Sequence, residues 1–235
     1  MMHTLGIIPA RAGSKRLPRK NVLYLGGKPL VCRVIEAALM ASSIHRLVVS
    51  SDDEEVLRLA GQYNSALPLR RPGEYATDTS PAIEYVRHAL AVCEAGGNVY
   101  DIVVIMQPSS PLTVAEDIDN TVAILDRTQA DSAVSVVELD HAIQPVKLKI
   151  MDGDRLLPYL EEEGGRMAAH ELPRLFVRNC AVYATRRRIV DDGRLLGADC
   201  RGYVMPRERS IDINDRLDYE FARFLMGRDA NGCTE

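Results

Sequence analysis

The sequence has no Trp, only three Phe, and no apolar run of the roughly 18 residues that a membrane-spanning helix needs. Its five cysteines are scattered, and none forms a Cys-x-x-Cys pair, so neither a disulfide framework nor a zinc site is indicated. The apolar start, residues 4–10, is too short for a signal peptide and leads directly into Arg11. We therefore expect a reduced, cytoplasmic protein that makes no use of a membrane.

An excess of positive charge is also missing. The formal net charge of −4 argues against a nucleic-acid or anionic-membrane partner, which would require clustered excess cations. Five cations are instead concentrated near the N-terminus: Arg11, Lys15, Arg16, Arg19 and Lys20. A small cationic pocket in a mildly acidic protein fits a small polyanionic ligand better than a nucleic-acid strand.

Hydrophobic periodicity predicts alternating strands and helices up to about residue 140. Short apolar runs predict strands at 4–9, 46–50, 66–69, 101–106 and 133–137. Helical spacing predicts helices at 29–41, 52–63, about 80–94 (with Thr79 or Ser80 as cap and Pro81 in the first turn) and 114–127. Strands that are apolar on both faces and alternate with helices are typical of a parallel sheet covered on both sides. The predicted fold is a single-domain α/β protein with a mostly parallel, Rossmann-like sheet flanked by helices.

The alternation breaks after about residue 140. Residues 146–150 and 155–160, joined by an Asp-Gly turn, predict a β-hairpin. A polar loop at 161–170, a strand at 176–184, extended pieces at 203–206 and 210–213 and a helix at 216–226 complete the prediction. We assign 1–227 to one domain, with 141–170 as an inserted segment and 228–235 as a tail.

The first candidate site is the basic loop within residues 8–22, which follows the first predicted strand. Ligands of α/β folds bind where loops leave the ends of buried parallel strands. Gly13 and Ser14 allow a close backbone approach to phosphate oxygens, and Arg11, Lys15 and Lys20 can offset the charge of a triphosphate. The pattern matches neither a Walker A loop nor Gly-x-Gly-x-x-Gly. By composition alone, a solvated basic loop is an equally good interpretation.

The motifs together resemble those of the acylneuraminate cytidylyltransferases, the CMP-sialic acid synthetases and their relatives. The matching stretches span nearly the whole chain and are residues 8–22, 69–72, 77–80, 107–112, 179–183 and 210–214, with Asp218. The family fold is that of nucleotide-diphospho-sugar transferases. The resemblance implies transfer of CMP from CTP to a nonulosonic sugar acid, with Mg²⁺ as cofactor and release of pyrophosphate.

The resemblance also implies roles for individual residues. Arg11 and Lys20 would hold the triphosphate, and with Asp212 they form the predicted catalytic set. Asn21, Arg71 and Ser80 are implied to contact the nucleotide. Gln107 would contact the sugar acid, Lys147 would face its carboxylate, and Asp212 matches a metal-binding aspartate.

The residues themselves give a partial account of these sites. Gln107 ends the most apolar predicted strand, and the prolines after it fix a rigid turn, although a Gln that caps backbone groups is the simpler interpretation. Alternation in Ser210-Ile-Asp-Ile-Asn214 puts Asp212 and Asn214 on one face, and two oxygen-bearing side chains suit Mg²⁺. Asn214 can equally serve as a helix N-cap.

Two departures from the family pattern bear on the substrate. The family usually carries Asp where this chain has Asn214. Relatives also show Arg and Gln shortly before the Leu-Pro pair that ends at Pro173, where this chain has Ala168-Ala-His-Glu. Arg166 and Arg178 are the candidates to replace that arginine in contacting the acceptor. Two alternatives stay open: a nucleotidyltransferase for an octulosonate or a sugar phosphate, with GTP as a possible donor, and a non-catalytic sugar-nucleotide binding module.

The predicted hairpin also bears on the quaternary structure. Relatives are commonly homodimers in which an inserted hairpin reaches over the partner's site. The hairpin predicted within 146–160 fits that arrangement, so we expect a homodimer.

Overall fold

The computed structural model describes residues 2–160 and 172–230. Its strands are β1 (Thr4–Pro9), β2 (Tyr24–Leu25), β3 (Lys28–Pro29), β4 (Arg46–Ser51), β5 (Ala66–Arg70), β6 (Ile102–Met106), β7 (Ser132–Glu138), β8 (Lys149–Asp152), β9 (Arg155–Pro158), β10 (Phe176–Arg186) and β11 (Cys200–Val204). Its α-helices are α1 (Leu30–Met40), α2 (Glu54–Ala60), α3 (Ala82–Glu94), α4 (Ala115–Thr128), α5 (Arg187–Asp191) and α6 (Arg216–Ala230).

Seven strands form one sheet in the order β11-β7-β10-β6-β1-β4-β5. The pairs β1/β4, β1/β6, β4/β5 and β7/β11 are parallel. Only β10 runs antiparallel to its neighbours β6 and β7. The predicted mostly parallel sheet is therefore confirmed.

Helices cover both faces of this sheet. Along β1, Ile8 packs into a core with α1, α2 and α4, whereas Leu5 and Ile7 pack on the opposite face with α3 and Val190 of α5. The alternation follows from the pleat, which points successive side chains to opposite faces. Both faces are apolar, as the sequence predicted for strands buried on two sides.

Several predicted boundaries are corrected by the structure. Helix α3 begins after Pro81, which occupies the cap position without a side-chain cap, because Ser80 directs its hydroxyl to Thr77 and to the Glu74 carbonyl instead. Helix α6 extends to Ala230, beyond the predicted end at 226. Of the predicted extended piece at 203–206, only residues 203 and 204 lie in a strand, β11, which begins at Cys200, and residues 210–213 form no strand. The short helix α5 was not predicted.

The predicted hairpin is present as β8 and β9, paired antiparallel around an Asp-Gly turn in which Gly153 has φ of +63°. Its arms are shorter than predicted, because Pro145–Lys147 form a 3-10 turn and the second arm ends at Pro158. A left-handed backbone conformation is one that glycine adopts without steric cost. All eight strand residues are exposed. The predicted loop at 161–170, including Arg166, lies outside the described residues. Within the described residues, none of the helices is long and apolar enough to cross a membrane.

Candidate active site

The candidate site lies at the edge of the sheet where the parallel strands end. The loops after β1 and β6 and the segment between β11 and α6 meet there around a cavity of about 390 Å³. This is the position at which open α/β sheets bind ligands. The cavity is lined by predicted site residues from three distant parts of the chain: Arg11, Ser14, Lys15, Lys20, Asn21, Gln107 and Asn214.

In the basic loop, two cations meet one carboxylate. Arg11 donates to Asp78 at 2.7 Å, and Lys15 forms an ion pair with the other oxygen of Asp78. Hydrogen bonds from Lys15 and Arg11 lower the pKa of Asp78 below its ordinary value. A second hollow of about 510 Å³, lined in part by Gly13, lies beside the same three residues. Asp78 therefore stands where two phosphate-binding candidates converge.

The backbone of this loop is held from within. Asn21 is buried, and its Nδ2 donates to the carbonyl of Arg11 at 2.9 Å. Ser14 donates its N–H to Ala12, so this N–H, predicted to approach a phosphate, is engaged within the loop. A Cβ added to Gly13 would meet nothing within 4 Å, so the space on that side of the loop is open to a ligand.

Lys20 connects the basic loop to the segment that carries Asp212. Its Nζ donates to the carbonyl of Ile213 at 2.8 Å. Burial lowers the pKa of Lys20, and the nearby charge of Asp212 opposes that shift. The predicted triphosphate-binding lysine and the predicted metal-binding aspartate are thus neighbours.

The metal-site candidates are joined by a hydrogen bond. Asn214 donates its Nδ2 to Asp212 Oδ2 at 2.8 Å, and its Oδ1 accepts from Arg16 at 3.2 Å. Ile213, between them, is fully buried, so the predicted alternation of faces is confirmed even though no strand forms here. The Asn214 backbone N–H donates to Asp218 Oδ2 at 2.8 Å. Within the described residues no group of three or more His, Cys, Asp or Glu side chains could hold a metal.

The loop that carries Gln107 is bonded to the same segment. The N–H of Ile213 donates to the Ser109 carbonyl at 2.7 Å, and the N–H of Gln107 donates to Ala181 of β10. Gln107 is half-buried and lines the cavity. The structure therefore places it facing a ligand space.

Two groups of hydrogen bonds to buried side chains hold the residues that precede Asp212. Asn179 accepts from Ser135 at 2.6 Å and donates to Ser210 at 2.9 Å. Asp117, which has no exposed surface, accepts two hydrogen bonds from Arg209, at 2.7 and 3.0 Å. These contacts join β7, β10 and α4 to the residues just before Asp212.

Arg71 and Ser80 do not line the cavity. Arg71 is 5% exposed; its guanidinium donates to Ser50 and lies 4.4 Å from the centre of the Tyr85 ring. Burial lowers the pKa of Arg71. Arg71 is thus a buried cation near Arg11.

Of the three predicted acceptor cations, Arg178 and Lys147 lie within the described residues, and they occupy different places. Arg178 is exposed on β10, and its charge and that of Asp212 both act on Tyr183, whose pKa is raised chiefly by burial. Neither Arg178 nor Asp212 lines the cavity. Lys147 contacts the His141 ring at 2.9 Å and lies outside the lining of the cavity.

Sequence reasoning missed two contributors. The sequence identifies Arg16 only as one cation of the basic run and Asp78 only as part of the motif at 77–80, and it predicts neither as a site residue. Charge complementarity gave a signal for Asp78, since an acidic residue in a polar loop can pair with a basic loop, but the pairing spans 67 positions. Nothing in the local sequence indicates which residue so far along the chain is the partner.

The chain is similar to known proteins both in sequence and in fold. The family model described as Cytidylyltransferase matches residues 5–192. The CMP-N,N'-diacetyllegionaminic acid synthase of Legionella pneumophila is 33% identical over 96% of this chain and 97% of its own length. The N-acylneuraminate cytidylyltransferase of Escherichia coli is 28% identical over 93% of this chain and 51% of that protein. A CMP:2-keto-3-deoxy-manno-octonic acid synthetase solved with CTP has the same fold, with a TM-score of 0.70, 18% identity and coverage of 97% and 99% of the two chains.

Proposed function

The chain belongs to the cytidylyltransferase family, and from that premise we propose that it joins CMP from CTP to the anomeric hydroxyl of a nonulosonic, sialic-acid-like sugar acid and releases pyrophosphate. One observation carries the proposal: a single cavity brings the basic loop together with Gln107 and with the segment of Asp212. The two relatives, named for a legionaminic and an acylneuraminic acid, support an acceptor of this class.

Nucleotide binding would rest on the charge of the basic loop. Arg11, Lys15 and Lys20 converge on a cleft that is partly screened from water, where attraction for phosphate is stronger than in bulk solvent. Asn21 donates to the main-chain carbonyl of Arg11, and this hydrogen bond holds the backbone that carries the guanidinium. Arg71 and Ser80 lie outside the cavity lining, and their proposed nucleotide contacts rest on the family resemblance.

The residues also fit a magnesium ion. Mg²⁺ is commonly bound through one or two carboxylates together with phosphate oxygens of the substrate, and Asp212 supplies one carboxylate beside the phosphate-binding loop. Asn214 was predicted as a second ligand; its amide oxygen accepts from Arg16. A bound Mg²⁺ would supply Lewis-acid polarisation and a template for the reacting oxygens.

The transfer needs no covalent enzyme intermediate. The acceptor hydroxyl attacks the α-phosphorus of CTP, a new P–O bond forms, and the bond to the leaving pyrophosphate breaks. The residues of the cavity contribute by holding the two substrates in line and by stabilising charge on the phosphates. Arginine and lysine side chains fixed before the reaction do this without reorganising at the moment of transfer.

Acceptor recognition is proposed for Gln107 and for Arg178 of β10. Gln107, which lines the cavity, would contact the sugar. The role of Arg178, which would face the acceptor carboxylate, rests on the family resemblance. Lys147 is held against His141, and its proposed contact with that carboxylate rests on the resemblance.

We propose a homodimer that pairs through the β8–β9 hairpin. A hairpin whose residues are all exposed and include Ile150, Met151 and Leu156 leaves apolar surface that a partner subunit would cover. We also propose a cytoplasmic location, with which the four free thiols of the described residues agree.

The test is a coupled pyrophosphate assay with four nucleoside triphosphates and a panel of sugar acids, among them legionaminic, pseudaminic, N-acetylneuraminic and octulosonic acids. We expect pyrophosphate release with CTP and a nonulosonic acid. Release only with octulosonate, or only with GTP, would favour the alternative transferase. Binding of CTP without consumption of any acid would favour a binding module.

A further inference from the structure

Asn214 links the cation of the basic loop to the carboxylate of the metal-site candidate. Its Oδ1 accepts from the Arg16 guanidinium at 3.2 Å, and its Nδ2 donates to Asp212 Oδ2 at 2.8 Å. These partners fix the orientation of the amide. A guanidinium can only donate and a carboxylate can only accept, so the reversed amide would make two repulsive contacts.

We infer that Asn214 is a positioning residue and not a metal ligand, and that it holds Arg16 as a further phosphate-binding residue of the cavity. This inference rests on the proposed function, since it concerns the triphosphate that the cavity would bind. A neutral amide keeps the arginine and the carboxylate in place without neutralising either charge. An aspartate at position 214 would pair with Arg16 and would repel Asp212.

The charges around the cavity support this role for Arg16. Arg11 and Lys15 both pair with Asp78, and Lys20 donates to the Ile213 carbonyl. Arg16 lines the same cavity and is exposed, and its contact is with an uncharged side chain. Its charge therefore borders the cavity and, among the described residues, is not paired with a carboxylate.

The Asn214 side chain can be replaced without changing the backbone conformation of this segment. Its backbone N–H donates to Asp218, and buried Ile213 bonds to Ser109; neither contact uses the Asn214 side chain. The variant Asn214→Ala should therefore keep the segment in place while it removes the amide. Matched thermal unfolding curves for the wild type and the variant check this.

The experiment is isothermal titration of the full chain with CTP and with inorganic tripolyphosphate, both in EDTA. The variants are Arg16→Ala, Asn214→Ala and their double variant, and Arg201→Ala serves as a control that removes an exposed arginine paired with Asp199. We expect Arg16→Ala and Asn214→Ala each to weaken tripolyphosphate binding by about tenfold, the size of one charge-assisted hydrogen bond. The double variant should be no weaker than Arg16→Ala, because the two side chains act as one unit. Arg201→Ala should bind as the wild type does.

A metal-ligand role for Asn214 predicts the opposite. In that case Asn214→Ala would bind both probes normally in EDTA and would only raise the Mg²⁺ concentration required in the presence of CTP. That result, a normal Arg16→Ala, or a wild type that does not bind tripolyphosphate would overturn the inference. Failure of the proposed function looks different: the wild type would bind tripolyphosphate but not CTP, and the variants would still be compared with tripolyphosphate.

Discussion

Lys20 donates its ammonium group to the carbonyl of Ile213 across 2.8 Å, and this bond joins the loop after the first strand to the segment that carries Asp212. The two residues are 193 positions apart in the sequence. Asn214, two positions after Asp212, lines the cavity beside the basic loop, so the loop and this segment border one cleft.

Asp78 competes with the nucleotide for the loop cations. The change Asp78→Asn should release Arg11 and Lys15 and strengthen CTP binding by about threefold, a modest gain because exposed ion pairs contribute little. Lys15 and Arg11 lower the pKa of Asp78, so it is ionised throughout the neutral range and the gain should be constant between about pH 6 and 8. Titration calorimetry at three pH values measures the gain in CTP affinity.

The control for that change is Asp192→Asn, which removes an exposed carboxylate paired with Arg194 and should leave CTP binding unaltered. Weaker binding by Asp78→Asn would show that Asp78 contacts the nucleotide or its metal directly and would contradict the competition.

The ion pair between buried Asp117 and partly exposed Arg209 should contribute to stability. Removing Asp117 leaves Arg209 and the buried end of α4 without their shared acceptor, so Asp117→Ala should lower the free energy of unfolding by about 2 kcal/mol. The exposed neighbour Glu116 provides the matched change, and Glu116→Ala should stay within about 0.5 kcal/mol of the wild type. Urea denaturation of both variants decides the point; equal midpoints would mean that the pair does not hold the segment before Asp212.

The hairpin should determine the oligomeric state. A charge at an exposed apolar position of β9, as in Leu156→Glu, should convert the proposed dimer to a monomer, because a buried unpaired charge is costly. Leu217→Glu places the same charge on an exposed leucine of α6 and should remain dimeric. Light scattering after size exclusion gives both masses. A monomeric wild type, or a dimer that survives Leu156→Glu, would refute pairing through the hairpin.

Much of the fold was predictable because the signal is local. Apolar residues on both faces of β1 and β6, followed by helical spacing, predict a covered parallel sheet, and the loops that end these strands predict the site edge. The Asp-Gly turn is also a local signal, and it predicted the hairpin.

The parts that sequence reasoning did not predict depend on long-range contacts. Ser80 matches the pattern of a helix cap, yet its hydroxyl is used by Thr77 and the Glu74 carbonyl. Strand β11 has mostly exposed residues, so its position is set by pairing with β7 and not by an apolar pattern. Likewise, the role of Arg16 becomes visible only when residue 214 is placed beside it.

The central claim is that one cleft holds the triphosphate through the loop of Arg11 and the metal through Asp212. Pyrophosphate release with CTP and a nonulosonic acid, compared among the wild type, Arg11→Ala and Asp212→Ala, tests it most directly. We expect each substitution to reduce turnover by at least about a hundredfold while the thermal unfolding curve is unchanged. Release at the wild-type rate by either folded variant would contradict the account.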